Sequence, residues 1–168
     1  VYKRQGVWLV ALAVSAPGRA CDNGISIMAE RKVKFVKGYY YHLYNRGNDG
    51  QSIYKDDQDF LNFLSRIKEY CLKYSVQVIA YCLMFNHFHF LVRQDGDVKA
   101  GMVIQNTCNG YVQYFNGRHN RQGALFQGKF RSELVDEDSY LHHLCRYIHG
   151  NPVKDGFASV SYTHLTLP

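Results

Sequence analysis

The chain has 168 residues, 46% of them hydrophobic and 20% charged, an ordinary balance for one globular domain with a core of its own. A formal net charge of +6 and a pI near 9.0 favour a polyanionic partner, nucleic acid first, although a solvated basic surface has the same composition. The five cysteines, Cys21, Cys71, Cys82, Cys108 and Cys145, form no C-x-x-C pair, which excludes a zinc knuckle and a disulfide framework and suits a reducing cytosol.

Residues 1–27 combine Lys3-Arg4 with the apolar run 6–14, and Ala20 before Cys21 imitates a cleavage site. The run is too short to cross a bilayer as a helix. The chain opens on valine, whereas Met28-Ala-Glu-Arg-Lys reads as an ordinary bacterial start. Residues 1–27 are therefore expected to be a non-native or read-through segment that adds nothing to the core. The domain is expected over 28–159, with 160–168 an artefactual tail.

From Gly38 to Arg46 the chain reads as a strand, closed by the turn-forming Gly47-Asn-Asp-Gly50. Over residues 56–74 the apolar positions Phe60, Leu64, Ile67, Cys71 and Tyr74 recur at spacings of three and four. That pattern predicts a helix capped by Asp56 or Asp57. Residues 76–85 and 87–93 predict two strands with a tight reversal at Phe85-Asn86. A second helix is expected over 98–116, with Ile104, Cys108, Tyr111 or Val112, and Phe115 facing inward. A polar loop follows over 117–123, and a fourth strand lies within 125–135. Asp136-Glu-Asp-Ser139 opens a third helix, which Pro152 stops. The order β-α-β-β-α-β predicts an α+β, ferredoxin-like split βαβ antiparallel sheet with an additional C-terminal helix. The first two helices cover one face, and the third is left for the other.

Two features carry chemistry. On a strand, His87 and His89 point to one face while Phe88, Phe90 and Val92 point to the other, so two imidazoles could grip one metal ion. A lone His-x-His is more often a hydrogen-bonded pair at a strand end, so a third ligand and a reacting group are needed. On the third helix, Leu141, Leu144, Cys145 and Ile148 make a packing stripe, and Tyr140, His143, Tyr147 and Asn151 lie beside it. Tyr147 and Asn151 stand one turn apart, which presents a phenol and an amide together. Read alone, they are equally an edge-of-core aromatic and a helix C-cap.

Asn86-His87-Phe88-His89 resembles the HUH signature of single-tyrosine transposases and relaxases. Tyr147-Ile-His-Gly-Asn151-Pro152-Val153-Lys154 resembles the Tyr-Ile-x-x-Asn-Pro-Val-Lys block of REP-associated tyrosine transposases, relatives of the small insertion-sequence transposases. Tyr114-Phe-Asn116 and Gly123-Ala-Leu-Phe-Gln-Gly-Lys-Phe-Arg131 are similar to that family's middle section, and the likeness spans roughly residues 37–157. The resemblance implies a ferredoxin-like nuclease domain that cleaves single-stranded or hairpin DNA through a covalent 5′-phosphotyrosine. Carried over by position, His87 and His89 match the paired metal ligands, Asn151 the third ligand and Tyr147 the nucleophile. The family's C-terminal tail continues where this chain departs from it, after Phe157.

Two imidazoles and an amide oxygen leave coordination positions for a phosphate and water, which favours Mg²⁺ or Mn²⁺ over zinc. Arg118, Arg121, Lys129 and Arg131 are the candidate phosphate contacts, with exposed aromatics stacking on unpaired bases. Tyr111 and Tyr114 are the rival nucleophiles. A monomer or homodimer in the cytoplasm, associated with the nucleoid and not with a membrane, is expected. The alternatives are a non-catalytic ferredoxin-like nucleic-acid binder, or a metal-dependent hydrolase that leaves no covalent adduct.

Overall fold

The computed structural model describes residues 2–4, 7–11 and 33–136 of the chain. Six strands form one antiparallel sheet: β1 (Tyr2–Arg4), β2 (Val7–Ala11), β3 (Tyr40–Arg46), β4 (Val76–Met84), β5 (His87–Gln94) and β6 (Arg131–Val135). Helix α1 (Asp57–Tyr74) joins β3 to β4, and α2 (Gly101–Arg118) joins β5 to β6. In space the strands run β1-β2-β4-β5-β3-β6. Strands β3 and β4 thus flank β5, and β5 and β6 flank β3. Each β-α-β unit is split by a strand of the other, which is the predicted ferredoxin-like arrangement.

The helices follow from their sequences. Asp56 caps α1 by accepting from the N–H groups of Gln58 and Asp59 at 3.0 and 3.2 Å. Ser75, at φ 52° and ψ 54°, closes it in the left-handed conformation. The inward stripe is Phe60, Phe63, Ile67 and Cys71. Phe63 was not expected there, and Leu64 is only partly buried. Both spacings from Phe60 are helical, and Phe63 wins because its ring meets Phe88 at 5.1 Å and Phe90 at 6.3 Å.

Helix α2 starts and ends later than expected. The Ala100 N–H is held by the Gln94 side-chain oxygen at 2.8 Å, and Gly101 lies against the rings of Phe35 and Phe130 where a methyl group would collide. Tyr111, and not Val112, faces inward.

Phe88, Phe90 and Val92 of β5, with Tyr41 and Leu43 of β3, pack under both helices in one large core. A smaller apolar cluster of Ala80, Cys82, Met84, Leu91 and Val135 lies on the other face. Cys71, Cys82 and Cys108 are buried free thiols. Among the described residues no helix is long and apolar enough to cross a membrane.

One placement differs from the sequence reading. Val7–Ala11 pairs with β4 in the register Trp8↔Leu83 to Ala11↔Ala80, and Tyr2–Arg4 completes a hairpin outside it. Residues 1–27 are expected to add nothing to the core, and the two strands described within them pair along the sheet's edge. The physical reason is the outer edge of β4, whose free N–H and C=O groups accept any apolar, extended segment. The expected third helix and the tail over 160–168 lie outside the described residues.

Candidate active site

Strand alternation sends the even positions of β3 and the odd positions of β5 and β6 to the face opposite the two described helices. Pairing then brings them together: Tyr44 lies opposite His89, Arg46 opposite His87, Glu133 opposite His42 and Arg131 opposite Tyr44. His87 and His89 therefore share one face, as their spacing predicts. Their rings stand edge to face with centroids 5.2 Å apart.

Each ring is oriented through its Nδ1 atom. Asn86 Oδ1 lies 2.7 Å from His87 Nδ1. His42 Nε2 lies 2.9 Å from His89 Nδ1, with the two rings stacked at 5.1 Å. The β4–β5 reversal that carries Asn86 is itself clamped. The Gly47 N–H donates to the Asn86 carbonyl at 2.7 Å, and those of Ile53 and Tyr54 donate to Phe85 at 2.6 and 3.1 Å. Gly47 is needed there because a side chain would run into the Gln51 carbonyl.

Beyond His42 stands a carboxylate. Glu133 Oε2 is 3.7 Å from His42 Nδ1, too far for a hydrogen bond but close enough to act as a charge. Its other oxygen accepts from the Tyr44 hydroxyl at 2.7 Å. The Tyr44 ring stacks on His42 at 4.7 Å and on His89 at 5.6 Å.

Burial lowers the pKa of His42 below the usual histidine value, with Glu133 pulling the other way. His89 is pushed down to about 3, by burial first and then by the neighbouring His42 and His87. Both rings are therefore neutral at physiological pH, the state in which imidazole has a lone pair for a cation. Burial and Glu133 raise Tyr44 above the ordinary phenol value.

Sequence reasoning missed His42, Tyr44 and Glu133. Their alternation with Tyr41, Leu43 and Leu134 was visible, but only pairing across three strands shows that they meet His89.

The remaining candidates divide. Arg131 lies on the histidine face beside Tyr44, and Lys129 is exposed in the loop leading into that strand. Arg118 and Arg121 lie at the far end of α2. Arg118 forks onto Asp56 at 2.7 and 2.8 Å and also reaches the buried Asp59 at 2.7 Å. His119 Nε2 approaches Asp59 at 2.9 Å, so this group clasps the start of α1 to the end of α2. Among the described residues Arg121 bonds neutral groups, Gln51 at 2.6 Å, Ala124 at 3.0 Å and Asn116 at 3.1 Å, and no carboxylate.

The rival tyrosines are on the wrong side of the sheet. Tyr111 is fully buried under the helices and donates to the Ile53 carbonyl at 2.6 Å, and Tyr114 packs against the same core. Tyr147 and Asn151 lie outside the described residues. Among the described residues no group of three or more His, Cys, Asp or Glu converges to hold a metal.

The model of the IS200-like transposases matches residues 35–151 of the chain. The chain belongs to the IS200-like transposase family. The matched span includes β3 to β6, both helices, the His-x-His pair and, in sequence, Tyr147 and Asn151. A protein of Haemophilus influenzae described as a REP-associated tyrosine transposase is 25% identical over 146 residues, covering 79% of this chain and 81% of its own. The solved structure of a REP-associated tyrosine transposase bound to a REP hairpin superposes with a TM-score of 0.61. That structure is 15% identical, with 78% of this chain and 76% of that chain covered, and it shows that this IS200-like chain shares the fold.

Proposed function

We propose that this transposase-family protein is a single-stranded DNA endonuclease and strand transferase acting on hairpin DNA. The observation that carries the reading is the pair His87 and His89 on one sheet face, each anchored through Nδ1. Anchoring one ring nitrogen aims the other, as in protein metal sites. His87, His89 and Asn151 would hold a divalent ion, Mg²⁺ or Mn²⁺, and the nitrogen-plus-amide donor set fits one. When bound, it supplies positive charge at the phosphoryl oxygens.

The chain's own residues do the rest. Tyr147 is the nucleophile: its oxygen bonds to phosphorus, the bond to the 3′ oxygen breaks, and the phenol proton ends on the 3′-hydroxyl. The product is a 5′-phosphotyrosine, which a second 3′-hydroxyl can attack to rejoin a strand. Arg121, Lys129 and Arg131 keep charge for DNA phosphates. Arg118 is committed to its two carboxylates, so its removal should cost stability before it costs DNA affinity.

The test is incubation with a single-stranded hairpin and Mn²⁺ followed by a denaturing gel. Wild type should give a protein–DNA adduct, and Tyr147→Phe should lose adduct and cleavage together while still binding the hairpin. Tyr44→Phe is the control, because Tyr44 is the tyrosine seen beside the histidines. Its phenol is tied to Glu133 and harder to ionise, so the variant should keep its adduct at saturating Mn²⁺, where a weakened metal site is still filled. Adduct lost in Tyr44→Phe and retained in Tyr147→Phe would move the nucleophile to β3. Tight hairpin binding with no adduct from wild type would instead support a binding protein.

A further inference from the structure

Three adjacent strands contribute one side chain each to a chain of polar groups, Glu133 on β6, His42 on β3 and His89 on β5. A single proton can lie between His42 Nε2 and His89 Nδ1, which are 2.9 Å apart, so one ring donates and the other accepts. The neighbour of His42 decides the direction. Its Nδ1 atom faces Glu133 Oε2 at 3.7 Å, and a carboxylate favours an N–H, not a lone pair, turned toward it. Glu133 is held in that pose by the Tyr44 hydroxyl at 2.7 Å. With its proton on Nδ1, neutral His42 accepts at Nε2. His89 must then donate from Nδ1, and its lone pair sits on Nε2. Asn86 gives His87 the same tautomer by a different route, since the amide oxygen accepts from Nδ1.

We propose that His42, oriented by Glu133, is a positioning residue that locks His89 in the tautomer with no proton on Nε2, the form able to ligate a divalent cation. This rests on the reading of His87 and His89 as ligands. His42 is not itself a ligand in this account. Its ring reaches a cation only through His89, and a partner of this kind typically changes metal affinity tenfold to a hundredfold.

The experiment uses the full chain, ¹⁵N-labelled and stripped of metal, with imidazole tautomers read from long-range ¹H–¹⁵N correlations. His89, assigned by the signals lost in His89→Gln, should carry its proton on Nδ1. In His42→Phe the acceptor is gone, the His89 tautomer should shift or average, and Mn²⁺ affinity should fall about tenfold or more. His42→Gln offers an amide oxygen at the same place and should restore both readouts. It also keeps the test informative if the phenylalanine variant folds badly. A wild-type His89 protonated on Nε2, or a His89 spectrum indifferent to His42→Phe, overturns the proposal. Wild type with the expected tautomer but no Mn²⁺ uptake overturns the ligand reading and leaves the tautomer lock supported.

Discussion

At the scale of single residues, the same side-chain types do opposite work on the two sides of the molecule. His89 is a buried neutral ring paired with His42, whereas His119 completes a clasp on the buried Asp59. Asp56 is part of that clasp and also caps α1. The hydrogen-bonded Arg118 guanidinium holds its carboxyl well below the usual range, at about 2 against 3.8. A folded-state pKa below the unfolded one means stability that is present above 3.8 and lost as pH falls through about 2. Asp56→Asn keeps a capping side chain and removes the charge, so its melting temperature should be modestly lower at neutral pH. The gap should close on acidification toward pH 2, where the wild-type carboxylate is protonated too. Asp56→Ala also loses the cap, about 1 kcal/mol more. Thermal melts of the three proteins across that range are the check, and a gap that stays constant would rule out the ion pair as its cause.

At the scale of elements, periodicity was a good guide to existence and a poorer one to facing. Helix α1 begins and ends within a residue of its expected span because Asp56 and Ser75 are local signals. Its inward face was less legible: Phe60 with Leu64 and Phe60 with Phe63 are both helical spacings, and only the rings of β5 choose between them. Phe63 is fully buried, touching Phe88, Phe90, Tyr54 and Tyr111. Phe63→Ala should therefore destabilise by about 3–5 kcal/mol, read from chemical denaturation. Leu64→Ala, at a half-buried position, should cost clearly less. Equal losses would mean that the helix is rotated from the orientation seen here. The strand pair β4–β5 was legible for the opposite reason. Its turn is short and holds the register from Met84↔His87 back to Ala80↔Leu91, beyond which a bulge at Ile79 shifts it by one residue.

At the scale of the whole molecule, the described core is built from Val33 onward, and the hairpin of residues 2–11 adds to an edge. A protein starting at Met28 should thus unfold cooperatively at nearly the same temperature. It would expose the apolar edge of β4, Val76–Met84, so light scattering should show more association with rising concentration than in the full chain. A large loss of melting temperature would instead make the hairpin part of the fold.

The sequence by itself determined the element order from β3 to β6, and through it the α+β class, because caps, turns and periods of two and 3.6 are local properties of the chain. It also determined that His87 and His89 share a face, since strand geometry between neighbours two apart leaves no choice. What only the tertiary structure decided is the company those histidines keep. His42 lies 47 residues from His89 in sequence, and Tyr44 lies 89 from Glu133, so nothing local couples them. Their meeting depends on β3 lying between β5 and β6, a consequence of two split crossovers packing their helices on one side. The same packing put Tyr111 and Tyr114 in the core under α1 and α2, on the side of the sheet opposite His87 and His89.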